Sequence, residues 1–216
     1  ITDWHWGAYD SLIDYPDRRV VSFRFLTEDG HFNVDAFREK VEDILTRQRN
    51  IVIILNGIAN NPTGYCMSVE EWQAAVDVLK NAVEGKDKNA VLVPDVAYLD
   101  YSGEKQECRR FFKVFGGLPK NILTIVAYTL SKGFTLYGQR QGAMIGITSD
   151  ADVAKEFVDI NQYASRATWS NCNSAAQNVM IDICSDSEKV ARLDAERNTY
   201  FKLIGERAAI FMEEAK

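Results

Sequence analysis

The stretch Ala90–Tyr98 reads AVLVPDVAY and places a continuous apolar run directly before a proline, an aspartate and a tyrosine. An apolar run without alternation is typical of a strand that is buried on both faces, as in a parallel sheet. We therefore predict a strand at Ala90–Val93. Similar β-type runs predict further strands at Val20–Phe25, Ile51–Leu55, Ile122–Ala127 and Gly142–Ile147.

Amphipathic helical periods lie between these runs. Asn33 can cap a helix that carries Phe37, Val41, Ile44 and Leu45 on one face, and Ser68-Val69-Glu70-Glu71 forms a capping box. Other helical periods cover Glu104–Phe115, Ala151–Ala164, Asn173–Cys184 and Ser187–Lys216. Alternation of strands and helices predicts an α/β fold with a doubly wound, mainly parallel sheet.

Composition narrows the class of protein. The chain has 216 residues, of which 46% are hydrophobic and 26% charged, and this suits one ordinary globular domain. A formal charge of −6 argues against nucleic acid or an anionic membrane as a partner. Four scattered cysteines without a C-x-x-C pair favour free thiols in a reducing cytosol, so we expect a cytoplasmic protein.

Both ends of the chain suggest that it is a piece of a longer protein. It begins at Ile1 without an initiator methionine, and it stops at Lys216 inside a helical pattern that has no glycine stop. The last helical period is longer than a typical globular helix. It fits either a long surface helix or a connector to a second domain.

Three polar groups follow three of the predicted strands. Asn61 follows Ile51–Leu55, and Asp95 follows Ala90–Val93. Lys132 follows Ile122–Ala127. Ligands of such sheets bind beyond the carboxyl ends of the strands. Each group alone has an ordinary explanation, namely a tight Asn-Pro-x-Gly turn, a helix cap and a solvated lysine. Their complementary chemistries at one sheet edge favour a shared site.

Together these motifs resemble the fold type I pyridoxal-phosphate enzymes, specifically the class I aminotransferases of the aspartate and aromatic branch. The resemblance covers nearly the whole chain. It depends on Asp3-Trp4, Asn60-Asn61-Pro62-Thr63-Gly64, Asp95-Val96-Ala97-Tyr98, Ser131-Lys132-Gly133-Phe134 with Leu136, Tyr137 and Arg140, and Arg166-Ala167-Thr168-Trp169-Ser170-Asn171.

The resemblance implies catalytic roles for three residues. Lys132 would hold the aldehyde of pyridoxal 5′-phosphate as a Schiff base and later move a proton with its freed amine. Asp95 would pair with the pyridine nitrogen and keep the ring protonated. Tyr98, together with Asn61, would hydrogen-bond the phenolic oxygen of the ring.

Further binding roles are implied in the same way. Arg140 would bind the phosphate, assisted by the hydroxyls of Thr129 and Ser131. Trp4 would stack on the ring and, with Asn61, contact the substrate. Arg166 would reach across a dimer interface to a carboxylate on the substrate side chain. No metal ligand is implied.

Several positions depart from the family pattern. Thr129 stands where serine is usual, and Asn60 stands where close relatives often carry histidine. Thr135 and Gln141 replace smaller or apolar residues, and Cys172 follows Asn171 in place of proline. These changes indicate a divergent branch and leave the substrate open.

The implied protein is an aminotransferase that moves an amino group between an aromatic or dicarboxylic amino acid and a 2-oxo acid, as a homodimer with shared active sites. Residues 1–186 would form the second part of the large cofactor-binding domain. Residues 187–216 would be a connecting helix towards a small domain. Alone, this piece is expected to turn over weakly or not at all.

Two alternatives stay open at this level. A β-eliminating lyase would use the same cofactor groups, so these residues do not separate the two chemistries. An aminotransferase-like ligand-sensing domain of a transcription regulator is disfavoured by the acidic balance and the Arg166 motif.

Overall fold

The computed structural model describes residues 1–13 and 18–215. Its α-helices are α1 (Ala8–Ile13), α2 (Val34–Arg47), α3 (Val69–Val83), α4 (Leu130–Gly133), α5 (Ala151–Thr168), α6 (Ser174–Cys184) and α7 (Ser187–Glu214). Its strands are β1 (Asn50–Leu55), β2 (Asn89–Pro94), β3 (Ile122–Thr129) and β4 (Gly142–Ile147). Short 3-10 helices cover Leu99–Tyr101, Glu107–Phe115 and Tyr137–Gln139.

The four strands form one sheet in the order β1-β2-β3-β4. β1 pairs with β2 and β2 pairs with β3 in parallel, whereas β3 and β4 are antiparallel. The predicted α/β class with a mainly parallel sheet is therefore confirmed. The carboxyl ends of β1, β2 and β3 lie at the same edge of the sheet.

The antiparallel direction of β4 follows from its connection to β3. A parallel pair needs a crossover that is usually built around a full helix. The segment 130–141 contains only the one-turn helix α4 and a short 3-10 turn. The chain therefore returns at the same edge, and Thr129 pairs with Gly142.

One face of the sheet carries the hydrophobic core. Ile51, Ile53 and Leu55 of β1 are buried, and the same alternation continues in β2 and β3. Helices α2 and α3 and the 3-10 helix Glu107–Phe115 pack on this side. Val52, on the opposite face of β1, is 64% exposed.

Both predicted helix caps are confirmed. The Asn33 side chain accepts a hydrogen bond from the backbone NH of Ala36 at 3.0 Å. In the capping box, the NH of Glu71 donates to Ser68 Oγ at 3.1 Å, and the NH of Ser68 donates to Glu71 Oε2 at 2.8 Å. These bonds satisfy amides that a helix start leaves without an internal partner. They fix where α2 and α3 begin.

Two predicted elements differ in the structure. No strand forms at Val20–Phe25: Phe23 makes a single bridge to Thr2, and Phe25 is buried without a ladder. The alternation of buried and exposed residues is present, but the NH of Phe25 donates to the side chain of Asp3 instead of a neighbouring backbone, so no ladder forms. The helix predicted over Glu104–Phe115 is a shorter 3-10 helix. Lys216, the predicted end of the last helix, lies outside the described residues.

Two kinds of feature are absent from residues 1–13 and 18–215. None of the helices found there combines the length and hydropathy that a membrane crossing needs. Within that same part of the chain, no three His, Cys, Asp or Glu side chains are grouped so that they could hold a metal ion.

The alternating burial of β1 leads to a prediction about stability. Ile53→Ala should lower the free energy of unfolding by about 2–5 kcal/mol, because it empties a packed core position. Val52→Ala changes the neighbouring, exposed position and should cost only about 0.5 kcal/mol. Urea unfolding of the 216-residue chain measures both. Equal costs at the two positions would contradict the assigned faces of the strand.

Candidate active site

Asp95 occupies the carboxyl end of β2, between the two neighbouring strands. Its backbone NH donates to the carbonyl of Leu55 at the end of β1, at 2.9 Å. The NH of Val96 donates to the carbonyl of Ala127 on β3, at 3.1 Å. The chain that carries the predicted catalytic carboxylate is therefore held from both sides at the sheet edge.

The Asp95 carboxylate accepts hydrogen bonds at both oxygens. The backbone NH of Ala97 donates to Oδ1 at 2.9 Å, and the hydroxyl of Tyr9 donates to Oδ2. Tyr9 is 5% exposed, and burial raises its pKa well above the ordinary range, with the charge of Asp95 and their hydrogen bond adding to the effect. A tyrosine in this state remains a neutral hydrogen-bond donor to the Asp95 carboxylate.

Lys132 lies in the connection between β3 and β4, at the same sheet edge. Its Nζ atom is 5.2 Å from the ring centroid of Tyr98, which belongs to the loop after β2. The same Nζ is 4.8 Å from the ring centroid of Tyr137. The structure thus brings the predicted lysine and the predicted tyrosine together from two different loops.

Arg140 closes the same turn and is exposed. Its Nη1 donates to the carbonyl of Tyr137 at 2.9 Å, and its guanidinium lies 5.4 Å from the Tyr137 ring centroid. Its backbone has φ 51° and ψ 46°, in the left-handed region. Lys132 and Arg140 therefore both contact one tyrosine ring, and this end of the site carries two positive charges.

The two predicted hydroxyls flank the start of α4. Thr129 Oγ1 accepts from the NH of Ser131 at 3.2 Å and donates to the carbonyl of Gln141 at 3.4 Å. Ser131 is 9% exposed. In this arrangement Thr129 caps the one-turn helix that carries Lys132.

The loop after β1 is held by a network of asparagines. Asn56 Oδ1 accepts from the NH of Asn61 at 2.7 Å, and Asn56 Nδ2 donates to the carbonyl of Asp95 at 3.1 Å. Asn60 Nδ2 donates to the carbonyl of Trp4 at 3.3 Å. The Asn61-Pro62 peptide is cis, and the side chain of Trp4 is largely exposed. The network connects the N-terminal segment and the asparagine loop to the Asp95 loop.

Arg166 contacts the end of its own helix. It lies in the last turn of α5, is exposed, and donates from Nη1 to the hydroxyl of Ser170. Further along, Asn173 Nδ2 donates to Gln139 Oε1 at 2.7 Å and so connects the start of α6 to the Arg140 turn. The contacts described for Arg166 do not bring it to Lys132 or Asp95.

Four residues that support the site were not predicted from the sequence: Tyr9, Asn56, Asp100 and Arg197. Asn56 directly follows β1, so its position at the strand end was a signal that could have identified it. Tyr9 lies 86 positions from Asp95, and no local pattern indicates that contact. Asp100 and Arg197 meet in a buried cluster that brings together four separate segments.

Comparison with known proteins places this chain in a family. The family model for aminotransferases of class I and II matches residues 1–214. The aromatic-amino-acid aminotransferase of Pseudomonas aeruginosa is 24% identical over 189 residues, which cover 87% of this chain and 44% of that protein.

Two solved structures are also similar. An aminotransferase from Anaerococcus prevotii has a TM-score of 0.95 and 34% identity, over 99% of this chain and 52% of that one. The aromatic-amino-acid aminotransferase from Burkholderia pseudomallei, solved covalently bound to pyridoxal phosphate, has a TM-score of 0.80 and 22% identity, over 94% of this chain and 48% of that one. The chain spans about half the length of these relatives. It belongs to the class I and II aminotransferase family.

Proposed function

We propose that the full-length protein is a pyridoxal-phosphate-dependent aminotransferase that moves an amino group between an aromatic or dicarboxylic amino acid and a 2-oxo acid. The observation that carries the proposal is the meeting of Lys132 with the Asp95–Tyr98 loop at the carboxyl edge of the sheet. Membership of the aminotransferase family supports the reaction class. The names of the aromatic and aspartate aminotransferases among its relatives support the two substrate classes.

The chemistry of the donor set fits pyridoxal phosphate. An ionised carboxylate offers about four lone-pair sites. Tyr9 and Ala97 take one site at each oxygen of Asp95, so acceptor capacity is left for a pyridinium N–H. Lys132 supplies a primary amine, and Arg140 supplies an exposed guanidinium beside it for the phosphate.

When bound, pyridoxal phosphate would supply an aldehyde and an electron-withdrawing ring, which the reaction needs to stabilise negative charge at the substrate Cα. Lys132 would hold the cofactor covalently and then carry a proton on Nζ as general base and acid. Asp95 would keep a proton on the ring nitrogen. Tyr98 and Asn61 would donate hydrogen bonds to the ring oxygen.

The remaining predicted residues would position the cofactor and substrate. Arg140, Thr129 and Ser131 would bind the phosphate, while Trp4 would cover the ring and, with Asn61, contact the substrate. Arg166 would act on a substrate carboxylate in the partner subunit of a homodimer. Its exposed side chain is accessible to a partner subunit, which supports this role.

The same proposal includes the organisation of the chain. Residues 1–186 would belong to the large cofactor-binding domain, and residues 187–216 to a helix that leads to a small domain. The observed α7, Ser187–Glu214, is one continuous helix, which supports the second assignment. Free thiols at Cys66, Cys108, Cys172 and Cys184 support a reducing, cytoplasmic location.

Lys132→Ala tests the proposed function. In the full-length protein loaded with pyridoxal phosphate, it should abolish the visible absorbance of the lysine-attached cofactor. It should also slow amino transfer by at least about 100-fold, because general acid–base catalysis is lost. Transfer is measured with aromatic and dicarboxylic donors and a 2-oxo acid acceptor, and ammonia release reports the lyase alternative.

Lys120→Ala is the matched control, because this exposed lysine precedes the opposite end of β3. It should leave absorbance and transfer unchanged. A full-length protein without visible cofactor absorbance, or a Lys132→Ala variant that behaves as wild type, would contradict the proposal. Release of ammonia without amino transfer would favour the lyase.

Tyr9→Phe tests the support of Asp95. The change removes a hydrogen bond to a charged group, which is worth about 1.5–3 kcal/mol, so the carboxylate loses one of its two supports and its pairing with the ring nitrogen should weaken. We expect the affinity for pyridoxal phosphate to fall by about tenfold, the equivalent of ~1.4 kcal/mol. Equilibrium titration of the full-length protein measures this.

Tyr65→Phe is a control of the same chemistry outside the site. The Tyr65 hydroxyl donates to Glu71 Oε1 at 2.6 Å, so this variant also loses a tyrosine–carboxylate hydrogen bond. It should lower stability while leaving the cofactor affinity at the wild-type value. Equal losses of affinity in the two variants would mean that Tyr9 has only a general structural role.

A further inference from the structure

Asp100 lies at the centre of a cluster of charged and polar side chains. The cluster packs against residues 130–136, the segment that carries Lys132 and is called the lysine segment below. The side chain of Asp100 is only 4% exposed. Its Oδ1 accepts from Arg109 Nη2 at 2.6 Å and lies 3.5 Å from Arg197 Nη1, while its Oδ2 accepts from the Tyr128 hydroxyl at 2.8 Å. Burial, with the charge of Asp100 and their hydrogen bond, raises the pKa of Tyr128. None of these residues belongs to the predicted cofactor set.

Arg197 connects this cluster to the lysine segment directly. Its Nε donates to the carbonyl of Gly133, the residue after Lys132, at 2.6 Å. Its guanidinium carbon lies 4.5 Å from the centroid of the Phe134 ring. One side chain of α7 therefore contacts both residues that follow the lysine.

Asp100 reaches the same segment from the other side. A Cβ atom built on Gly133 would lie 2.7 Å from Asp100 Cγ, closer than real Cβ atoms come to other atoms. Gly133 is therefore required for the close approach of the carboxylate to the backbone beside Lys132. The carboxylate and the guanidinium together enclose Gly133.

The helix that carries Lys132 cannot hold its own position. α4 spans only Leu130–Gly133, and isolated helices of this length are unstable because nucleation is costly. Arg197 is 11% exposed and is paired with Asp100 and with Asp194, at 3.6 Å. Buried charges of this kind tolerate little displacement, because a lost partner leaves an uncompensated charge. The cluster thus adds a constraint on α4 from distant parts of the chain, beside the Thr129 cap.

We propose that Arg197 is a positioning residue for Lys132: through Gly133 and Asp100 it couples the placement of α7 to the placement of the lysine amine. The inference rests on the proposed function, since it assigns Lys132 as the cofactor lysine. It adds that α7 holds the lysine segment as well as leading out of the domain. A shift of α7 would then move or release Lys132.

The test uses the full-length apoprotein and two ligands. Pyridoxal phosphate reports the rate of covalent attachment at Lys132. Pyridoxamine phosphate, whose amine cannot condense with a lysine, reports the integrity of the pocket through its affinity. Arg197→Met should slow attachment by about tenfold, because a charge-assisted hydrogen bond to Gly133 is lost, with unchanged affinity for pyridoxamine phosphate. Arg197→Lys retains the charge. It should attach the cofactor more slowly than wild type but faster than Arg197→Met.

A second readout needs no cofactor. Amide hydrogen exchange of the peptide covering residues 130–136 should become faster in the Arg197→Met apoprotein than in wild type. Arg192→Met, an exposed arginine on the same helix, is the matched control and should leave exchange and attachment unchanged.

The outcomes separate the inference from the proposed function. Wild-type protein that attaches no pyridoxal phosphate would overturn the proposed function and the inference together. If the wild-type protein attaches pyridoxal phosphate and Arg197→Met equals it in attachment rate and amide exchange, the inference is overturned and the proposed function is not. Parallel losses of attachment rate and pyridoxamine phosphate affinity would also overturn it, because they indicate a general structural role. If Arg197→Met does not fold, a wild-type attachment rate in Arg197→Lys is the overturning result.

Discussion

The backbone NH of Asp95 donates to the end of β1, and the NH of Val96 donates to β3. These two bonds continue the parallel pairing of the three strands past the end of β2, and the rest of the site depends on that pairing. Parallel strands present their carboxyl ends at one edge, so loops that are distant in sequence meet there. The Asp95–Tyr98 loop and Lys132 lie at the same edge for this reason, with Lys132 beside the Tyr98 ring. The hydrophobic core on one face of the sheet keeps the strands in register.

The site has an exposed part and a buried part. Of the groups that would touch cofactor or substrate, Trp4, Arg140 and Arg166 are exposed, whereas Asp95, Tyr98 and Lys132 are half-buried. The groups that support Asp95 and the backbone beside Lys132, namely Tyr9 and the Asp100 carboxylate, are buried and hydrogen-bonded. This division makes chemical sense, because reactive groups must be reached by ligand while their supports gain strength from a low dielectric.

The sequence was sufficient for features that are local. The four apolar runs that became β1–β4, the caps at Asn33 and Ser68, and the loops after the strands all follow from short-range patterns. The direction of β4 was not predictable from its apolar run, since direction depends on how the 130–141 connection folds. The apolar alternation at Val20–Phe25 is genuine, but a strand also needs backbone partners along its length, and the NH of Phe25 donates to a side chain.

Contacts between distant segments were beyond a single sequence. Tyr9 bonds Asp95 from 86 positions away, and Arg197 bonds Gly133 from 64 positions away. Neither residue belongs to a local motif. From the sequence alone, Tyr9 would be interpreted as an ordinary core aromatic and Arg197 as a surface charge. Only the fold brings Tyr9 to Asp95 and Arg197 to the backbone next to Lys132.

The central claim is that the sheet edge forms one cofactor site with Asp95 and Lys132 on its two sides. A crystal structure of the full-length protein grown with pyridoxal phosphate tests this most directly. The account predicts the ring nitrogen within hydrogen-bond distance of the Asp95 carboxylate, the aldehyde carbon bonded to Lys132 Nζ, and the phosphate beside Arg140. A cofactor bound elsewhere, or bound with its ring nitrogen away from Asp95, would contradict it.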